Sequence, residues 1–326
     1  MKNYSINNNI QLNKNGELIH LLGLQGLSKK QLTNIIHFAN TFIDNKGNLK
    51  KSKALKGMSI ANLFFEPSTR TRNTFEIAAK RSSANVINVD LANSATKKKE
   101  SLLDTMYTLQ AMQIDMFVIR HKQNGLPHYV ANNINNNIAI LNAGDGVNAH
   151  PTQALLDMLT IYQYKKTFTN LSVAIVGDII HSRVAHSDIQ ALKTLGVNDI
   201  RLIAPPKLQY NGAISTSIKL FKDLKSGIKQ CDVIITLRIQ KERMLKANIP
   251  NEKNYFNDYG LTKEALKLAK KDVIIMHPGP VNRNIEIDSD IIDSDNCVIL
   301  KQVTNGIAVR MAVMNILAKN IKNLSL

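Results

Sequence analysis

The sequence predicts an α/β protein of two domains, each a mainly parallel sheet flanked by helices, with a C-terminal helix packing back on the first domain. Three observations predict it. Short apolar runs of strand length alternate with helix-period segments along the whole chain. Those runs are continuous rather than alternating, as strands covered on both faces of a parallel sheet must be. Finally, 326 residues with 44% apolar side chains suffice for about two cores. Disorder needs far less Val, Ile and Leu than this, and collagen-like or mucin-like chains far more Gly and Pro.

Ser28-x-x-Gln31 reads as a capping box, and Ile35, Ile36, Ala39, Phe42 and Ile43 recur behind it at helical spacing. Asn45 to Gly57 is polar and Lys-rich. Ser59 to Phe65 is a buried strand stopped by Glu66-Pro67, and a helix begins near Thr69. Strands at Val86 to Val89, Met116 to Ile119 and Ile138 to Leu141 then alternate with helices at Leu102 to Met112 and around Tyr129 to Ile134. From His150 to about Tyr164 a helical pattern runs without Gly or Pro after Pro151, long enough to link two halves. The expected domains are therefore 1–150 and 151–304, with 305–326 rejoining the first. In the second, strands are expected at Val173 to Val176, Ile200 to Ala204, Val233 to Leu237 and Val273 to Met276. Helices are expected at Val184 to Leu195, Ser217 to Leu224 and Lys263 to Ala269. Ile307 to Ile321 is apolar at helical spacing through Val309, Ala312, Val313, Ile316 and Leu317, and needs a partner surface.

Forty-two Lys and Arg against 25 Asp and Glu leave a net charge of +17. That suits nucleic acid, an anionic membrane surface or small anionic substrates, and equally a general enrichment in solvated Lys. With no Trp and no aromatic ladder, nucleic acid is not the expected partner. No apolar stretch approaches the ~20 residues of a membrane span. Met1 to Asn9 has one charge and no apolar core, so a secretory signal is not expected and the cytoplasm is. Cys231 and Cys297 are far apart and outside any C-x-x-C spacing, which fits a reducing compartment and argues against a cysteine zinc site.

The strongest local signal is Phe64-Phe65-Glu66-Pro67-Ser68-Thr69-Arg70-Thr71-Arg72, where a strand ends and a helix starts. Unpaired backbone N–H groups and the positive end of the helix dipole point there, and Ser68, Thr69, Arg70 and Thr71 add hydroxyls and a guanidinium. This is a phosphate cradle. The dipole contributes only ~0.3–1 kcal/mol, so the forked donors of Arg70 supply most of the grip. A purely structural cap would avoid two arginines in the first turn, since they oppose the dipole.

With these residues the sequence resembles the aspartate and ornithine carbamoyltransferase family, whose shared phosphate motif is S-T-R-T-R. Nearly the whole chain takes part: Ile119-Arg120-His121, Gly144-Asp145-Gly146 to Gln153, and Val176-Gly177-Asp178 with Arg183 follow in order. His150-Pro151-Thr152-Gln153, Arg238-x-Gln240-x-Glu242-Arg243 and His277-Pro278-Gly279-Pro280 are similar to the aspartate branch. The H-P-C-Q, H-C-L-P and S-M-G patterns of the ornithine branch do not occur. The resemblance implies transfer of a carbamoyl group from carbamoyl phosphate to the amine of L-aspartate, without cofactor or metal. It makes 1–150 the carbamoyl-phosphate-binding domain and 151–304 the aspartate-binding domain.

Residue by residue, it implies that Ser68, Thr69, Arg70 and Thr71 hold the phosphate, and that Thr71, Arg120 and His150 act on the carbonyl oxygen. Taken alone, His150 reads first as a satisfied core residue; it is its place after Asn148 in this motif that makes it a donor to the carbonyl oxygen. Gln153 meets the carbamoyl amide or phosphate end, and the carbonyls of Pro278 and Gly279 accept from the carbamoyl NH2. Planar forks match carboxylates best, so Arg183 and Arg238, with Gln240, are the candidates for aspartate. Each arginine is otherwise a surface ion-pair partner. Both lie past the carboxyl ends of expected strands, where open α/β sheets bind ligands. Glu66 is a candidate partner for Arg183 or Arg243. In Lys97-Lys98-Lys99-Glu100 the resemblance puts Lys98 in the catalytic, aspartate-contacting lysine position and Ser94 in the serine position of a loop that enters the neighbouring subunit's site. A homotrimer with shared active sites follows, and a regulatory or dihydroorotase-like chain is a possible further partner. Lys99 stands where the family has Gly, and Gly279 where it more often has Leu or Ala.

No G-x-G-x-x-G follows a strand, and neither G-x-x-x-x-G-K-[ST] nor H-E-x-x-H occurs. His181 and His186 lie beside Asp178 without a third convergent ligand, so no metal is expected. Two rival functions stand beside the main one: a carbamoyltransferase for another amino acid, and an inactive basic nucleic-acid or interaction protein on the same fold.

Overall fold

The structure, a computed structural model, describes residues 4–89, 101–135, 137–245 and 249–323. Its contacts divide the chain into one unit of 1–156 with 304–326 and a second of 157–303. The first division falls at 156/157, within a helix, and not at the 150/151 read from the sequence. Leu156 belongs to the first unit because it lies against Gly306, where an added Cβ would come within 3.1 Å of the leucine Cδ2.

In the first unit α1 (Lys29–Thr41) starts at the expected capping box: the Gln31 N–H donates to Ser28 Oγ at 3.2 Å and the Ser28 N–H to Gln31 Oε1 at 2.8 Å. There follow β1 (Ser59–Phe64), α2 (Thr69–Arg81), β2 (Asn85–Val89), α3 (Leu102–Ala111), β3 (Met116–His121), α4 (Leu126–Asn133), β4 (Ala139–Asp145) and α5 (Pro151–Lys165). All strand pairs are parallel, in the order β2-β1-β3-β4. Leu63, Phe117, Ile119 and Ile140 of the sheet are fully or almost fully buried and pack in one cluster with Met106 and Val130 from the helices. The continuous apolar runs predicted for β1, β3 and β4 are buried strands. β2 is different: it lies at the sheet edge, with Ile87 45% exposed, so one neighbour and one covered face are all it needs.

The second unit holds β5 (Ser172–Val176), α6 (Arg183–Leu195), β6 (Asp199–Ile203), β7 (Ile218–Phe221), α7 (Leu224–Ile228), β8 (Val233–Thr236), α8 (Glu252–Tyr259), α9 (Lys263–Leu266), β9 (Ile274–Met276) and α10 (Ser289–Ile292). Its strands are again all parallel, in the order β7-β6-β5-β8-β9. The segment Ser217 to Leu224, expected as a helix, is corrected to β7. Pairing with β6 in the register Ile200↔Ile218 to Ile203↔Phe221 outweighs its weak helical pattern. α11 (Ile299–Lys322) begins in this unit and crosses at 303/304 into the first, where Ala308, Val309, Met311, Ala312 and Val313 are fully buried. The predicted return of the C-terminal helix to the first domain is thus what the fold contains.

Both sheets place their strand-order reversal at an interior strand. In the first unit the chain leaves β1 for β2 on one side and returns to β3 on the other. In the second it leaves β5 for β6 and returns to β8. At such switch points the loops past the strands' carboxyl ends diverge and leave a crevice.

Candidate active site

The first unit's switch point lies between the ends of β1 and β3, where Phe64 pairs with Arg120 and the Phe65 N–H donates to the Arg120 carbonyl at 2.9 Å. Ser68 is the N-cap of α2 but makes no side-chain cap bond. An ordinary cap serine spends its hydroxyl oxygen on the first turn; this one does not. The helix offers no acceptor to the N–H groups of Thr69, Arg70 and Thr71, since its first bond runs from the Arg72 N–H to the Ser68 carbonyl at 3.0 Å. Burial pulls the pKa of Arg70 below the usual arginine value, the mark of a guanidinium taken partly out of water. Across the crevice Arg120 donates from Nη1 to the Ala143 carbonyl at 3.2 Å and holds Nε 3.4 Å from Glu66 Oε2. Glu66 thus pairs with Arg120, a partner that the sequence reading, which named Arg183 or Arg243, did not include.

His150 and Gln153 stand at the start of α5 and are both buried. Asp145 sets the path into that helix. Its carboxylate accepts from the Gly125 N–H at 2.7 Å, Asn142 Nδ2 at 2.8 Å, Asn148 Nδ2 at 2.9 Å and the Ala149 N–H at 3.1 Å. Burial raises its pKa, against the opposing pull of those donors. The sequence showed Asp145 only as a motif letter. A carboxylate followed by Asn three residues on and a helix start is the signal that could have found it.

In the second unit the switch point lies between β5 and β8. Gly177 follows β5 at φ +129°, and an added Cβ would lie 2.7 Å from the Leu237 carbonyl oxygen. Only glycine lets the two strand ends come this close. Asp178, next in sequence and fully buried, accepts from His181 Nδ1 at 2.8 Å and from the Gln240 N–H at 3.0 Å. Arg243 Nη1 donates to the His181 carbonyl at 2.6 Å. One carboxylate therefore ties the loop carrying Arg183 to the loop carrying Arg238 and Gln240. Arg183, first residue of α6, is buried. Arg238 is half-buried and now paired, its Nη1 3.1 Å from Glu242 Oε2 and its Nη2 3.0 Å from Gln240 Oε1. A substrate carboxylate would have to take over from Glu242.

Pro278 and Gly279 follow β9. The Gly279 N–H donates to His277 Nδ1 at 2.7 Å, closing a tight turn, and Gly279 sits at φ +68°. Glycine adopts that conformation without strain, so its presence in place of the larger family residue goes with a hydrogen-bonded turn. Ser94 and Lys98 lie outside the described residues. Among the described residues, no three His, Cys, Asp or Glu side chains group as metal ligands, and no helix is long and apolar enough to cross a membrane.

Two family models match in series: the carbamoyl-P binding domain of aspartate/ornithine carbamoyltransferase over residues 19–163, and its Asp/Orn binding domain over residues 169–317. The chain belongs to the aspartate/ornithine carbamoyltransferase family. Among its relatives, the aspartate carbamoyltransferase catalytic subunit of Vesicomyosocius okutanii subsp. Calyptogena okutanii (strain HA) is 70% identical over 318 residues, 98% of this chain and 99% of that one. The catalytic subunit of M. jannaschii aspartate transcarbamoylase superposes with a TM-score of 0.82 at 33% identity, covering 93% of this chain and 99% of that one. The Trypanosoma cruzi aspartate transcarbamoylase, solved in complex with carbamoyl phosphate and aspartate, gives 0.81 at 28% identity over 91% and 94% of the two chains.

Proposed function

We propose that the chain transfers the carbamoyl group of carbamoyl phosphate to L-aspartate, giving N-carbamoyl-L-aspartate and phosphate. The observation that carries this reading is the start of α2, where Ser68 withholds its hydroxyl from capping and Thr69, Arg70 and Thr71 present N–H groups that the helix cannot use. In this reading these residues hold the phosphate. Thr71, Arg120 and His150 donate to the carbamoyl oxygen, Gln153 meets the carbamoyl end, and the Pro278 and Gly279 carbonyls accept from its NH2. Arg183, Arg238 and Gln240 take the carboxylates of aspartate. The amine nitrogen then bonds to the carbamoyl carbon, the bond from that carbon to the phosphate oxygen breaks, and the departing phosphate accepts the amine proton. No general base is needed, and catalysis is positioning and charge stabilisation. The proposal extends to a cytoplasmic homotrimer in which Ser94 and Lys98 serve the neighbouring subunit's site, and to a division of labour in which 1–150 binds carbamoyl phosphate and 151–304 binds aspartate.

The test is colorimetric detection of carbamoyl aspartate from purified protein, with ornithine as the competing acceptor. Product with aspartate alone supports the reading; product with ornithine alone overturns it. Arg238→Ala should weaken aspartate binding far more than carbamoyl phosphate binding by calorimetry, because only aspartate presents a carboxylate there. Equal losses would remove Arg238 from the aspartate site.

A further inference from the structure

In the first unit the end of β3 with its loop, 121–125, meets the turn 145–149 that joins β4 to α5. The turn is closed on itself: the Asp145 N–H donates to the Ala149 carbonyl at 3.1 Å, and the Ala149 N–H to Asp145 Oδ1 at 3.1 Å. His150 follows directly, its carbonyl accepting from the Ala154 N–H of α5 at 3.2 Å. Whatever holds the turn therefore sets where His150 enters the helix. The holding is done by hydrogen bonds to the loop. The Gly146 N–H donates to the His121 carbonyl at 2.9 Å, the Gly125 N–H to Asp145 Oδ2 at 2.7 Å, and the Val147 N–H to Asn124 Oδ1 at 2.9 Å. The last of these hangs on a side chain of the loop, and that side chain is pressed against the turn: a Cβ at Gly146 would stand 1.9 Å from the same Asn124 oxygen. The Asn124 backbone is fixed in its turn, because the Tyr4 N–H donates to its carbonyl at 3.0 Å and the Tyr4 ring stacks on Tyr129 of α4 with centroids 4.6 Å apart.

We infer that Asn124 is a positioning residue for the reaction: by accepting from the Val147 N–H it holds the 145–149 turn, and through that turn it sets the place of His150. Arg120 lies on β3, one residue before the loop begins, so the same contact fixes His150 relative to Arg120. Two donors aimed at one carbonyl oxygen work only in a shared geometry, and a small displacement of either costs rate. Asn124 supplies that registry from outside the reacting atoms. The catalytic part of this inference rests on the proposed role of His150 toward the carbamoyl oxygen; the hold on the turn does not.

The experiment compares Asn124→Leu, Asn124→Asp, His150→Ala and the double variant Asn124→Leu/His150→Ala, each first shown by thermal melting to be folded. Two quantities are read: hydrogen exchange at the Val147 amide, and kcat/KM for carbamoyl phosphate, with the aspartate KM at saturating carbamoyl phosphate as the control. Asn124→Leu keeps the shape and removes the acceptor. It should speed Val147 exchange and lower kcat/KM for carbamoyl phosphate by about 2- to 10-fold, the range of one lost hydrogen bond, with the aspartate KM unmoved. Asn124→Asp keeps an oxygen for the Val147 N–H, so exchange there should stay within about twofold of the parent protein. The double variant should be no worse than His150→Ala, since a residue that acts through His150 has nothing left to position once the imidazole is gone. Val147 exchange unchanged in Asn124→Leu, kcat/KM unchanged in that variant while His150→Ala is impaired, or additive losses in the double variant would each overturn the inference. Normal kcat/KM in His150→Ala would instead remove His150 from the proposed site and the catalytic part of the inference with it, while the exchange result alone decides whether Asn124 holds the turn. Should Asn124→Leu not fold, Asn124→Ala replaces it under the same criteria.

Discussion

Arg70 and Asp178 stand for two kinds of site residue, and only the first has its role written in the local sequence. Arg70 announces itself by sitting in a helix's first turn, against the dipole. Its replacement by Ala should lower turnover by ~10²–10³, the loss typical of one oxyanion donor, with the melting temperature nearly unchanged. Normal turnover would end the phosphate assignment. Asp145 left a fainter local trace, the asparagine three residues on, whereas Asp178 reaches Gln240, a partner that only the folded chain brings near and no spacing in the sequence reveals. Two histidines carry a pH consequence of the same hidden kind. Burial lowers the pKa of His20 and of His128 from 6.5 to about 4. The Ile140 N–H donates to His20 Nδ1 at 3.1 Å, so protonating that nitrogen would break the bond. Above pH 6.5 both imidazoles are neutral whether the chain is folded or not, and they contribute nothing to pH dependence. Between pH 6.5 and about 4 the unfolded chain takes up protons that the folded chain refuses, and stability falls as pH drops. The loss saturates at about 3.5 kcal/mol for each, on the order of 2.5 pH units at ~1.4 kcal/mol per unit. Urea unfolding at pH 7 and pH 4.5 should show this, with a smaller difference in His20→Gln and His128→Gln; an identical difference in those variants would assign the acid sensitivity elsewhere.

Elements were legible in proportion to how fully they are buried. β1, β3, β4, β5 and β8 read as continuous apolar runs because both of their faces are covered. β7 did not, because an edge strand with Lys219 and Leu220 exposed needs only Ile218 buried to hold its place, and a four-residue strand has too few positions to show a period. The connection between β5 and α6 was legible as a motif but not as a constraint. Gly177→Ala places a methyl against the Leu237 carbonyl at the end of β8, and the backbone there must shift. The expected result is a destabilisation of ~1–3 kcal/mol together with a raised KM for aspartate, since the displaced segment leads directly to Arg238. Thermal melting and steady-state kinetics check the two parts separately. A rise in the carbamoyl phosphate KM alone would contradict the role given to that loop.

At the scale of the whole molecule, the shared-site proposal makes a distinctive claim about mixtures. Lys98→Ala and Arg70→Ala should each be inactive, yet denaturing them together and refolding should restore activity that neither regains alone. A hybrid trimer contains interfaces where an intact Lys98 loop meets an intact Arg70 cradle. Recovery no higher than the separate controls, with hybrids demonstrated by native electrophoresis, would mean that each chain completes its own site. The order in which this chain leaves the ribosome bears on such assembly. The first unit incorporates 304–326, so the domain begun first is finished last. At ~5–20 residues per second, the nascent first unit waits on the order of ten seconds or more for α11 while the second is synthesised in full. Until then the apolar surface that Val309, Met311 and Val313 will cover stands open, which makes the growing chain a client for holdase chaperones and a nonsense codon near Val303 more damaging than the few residues it removes would suggest.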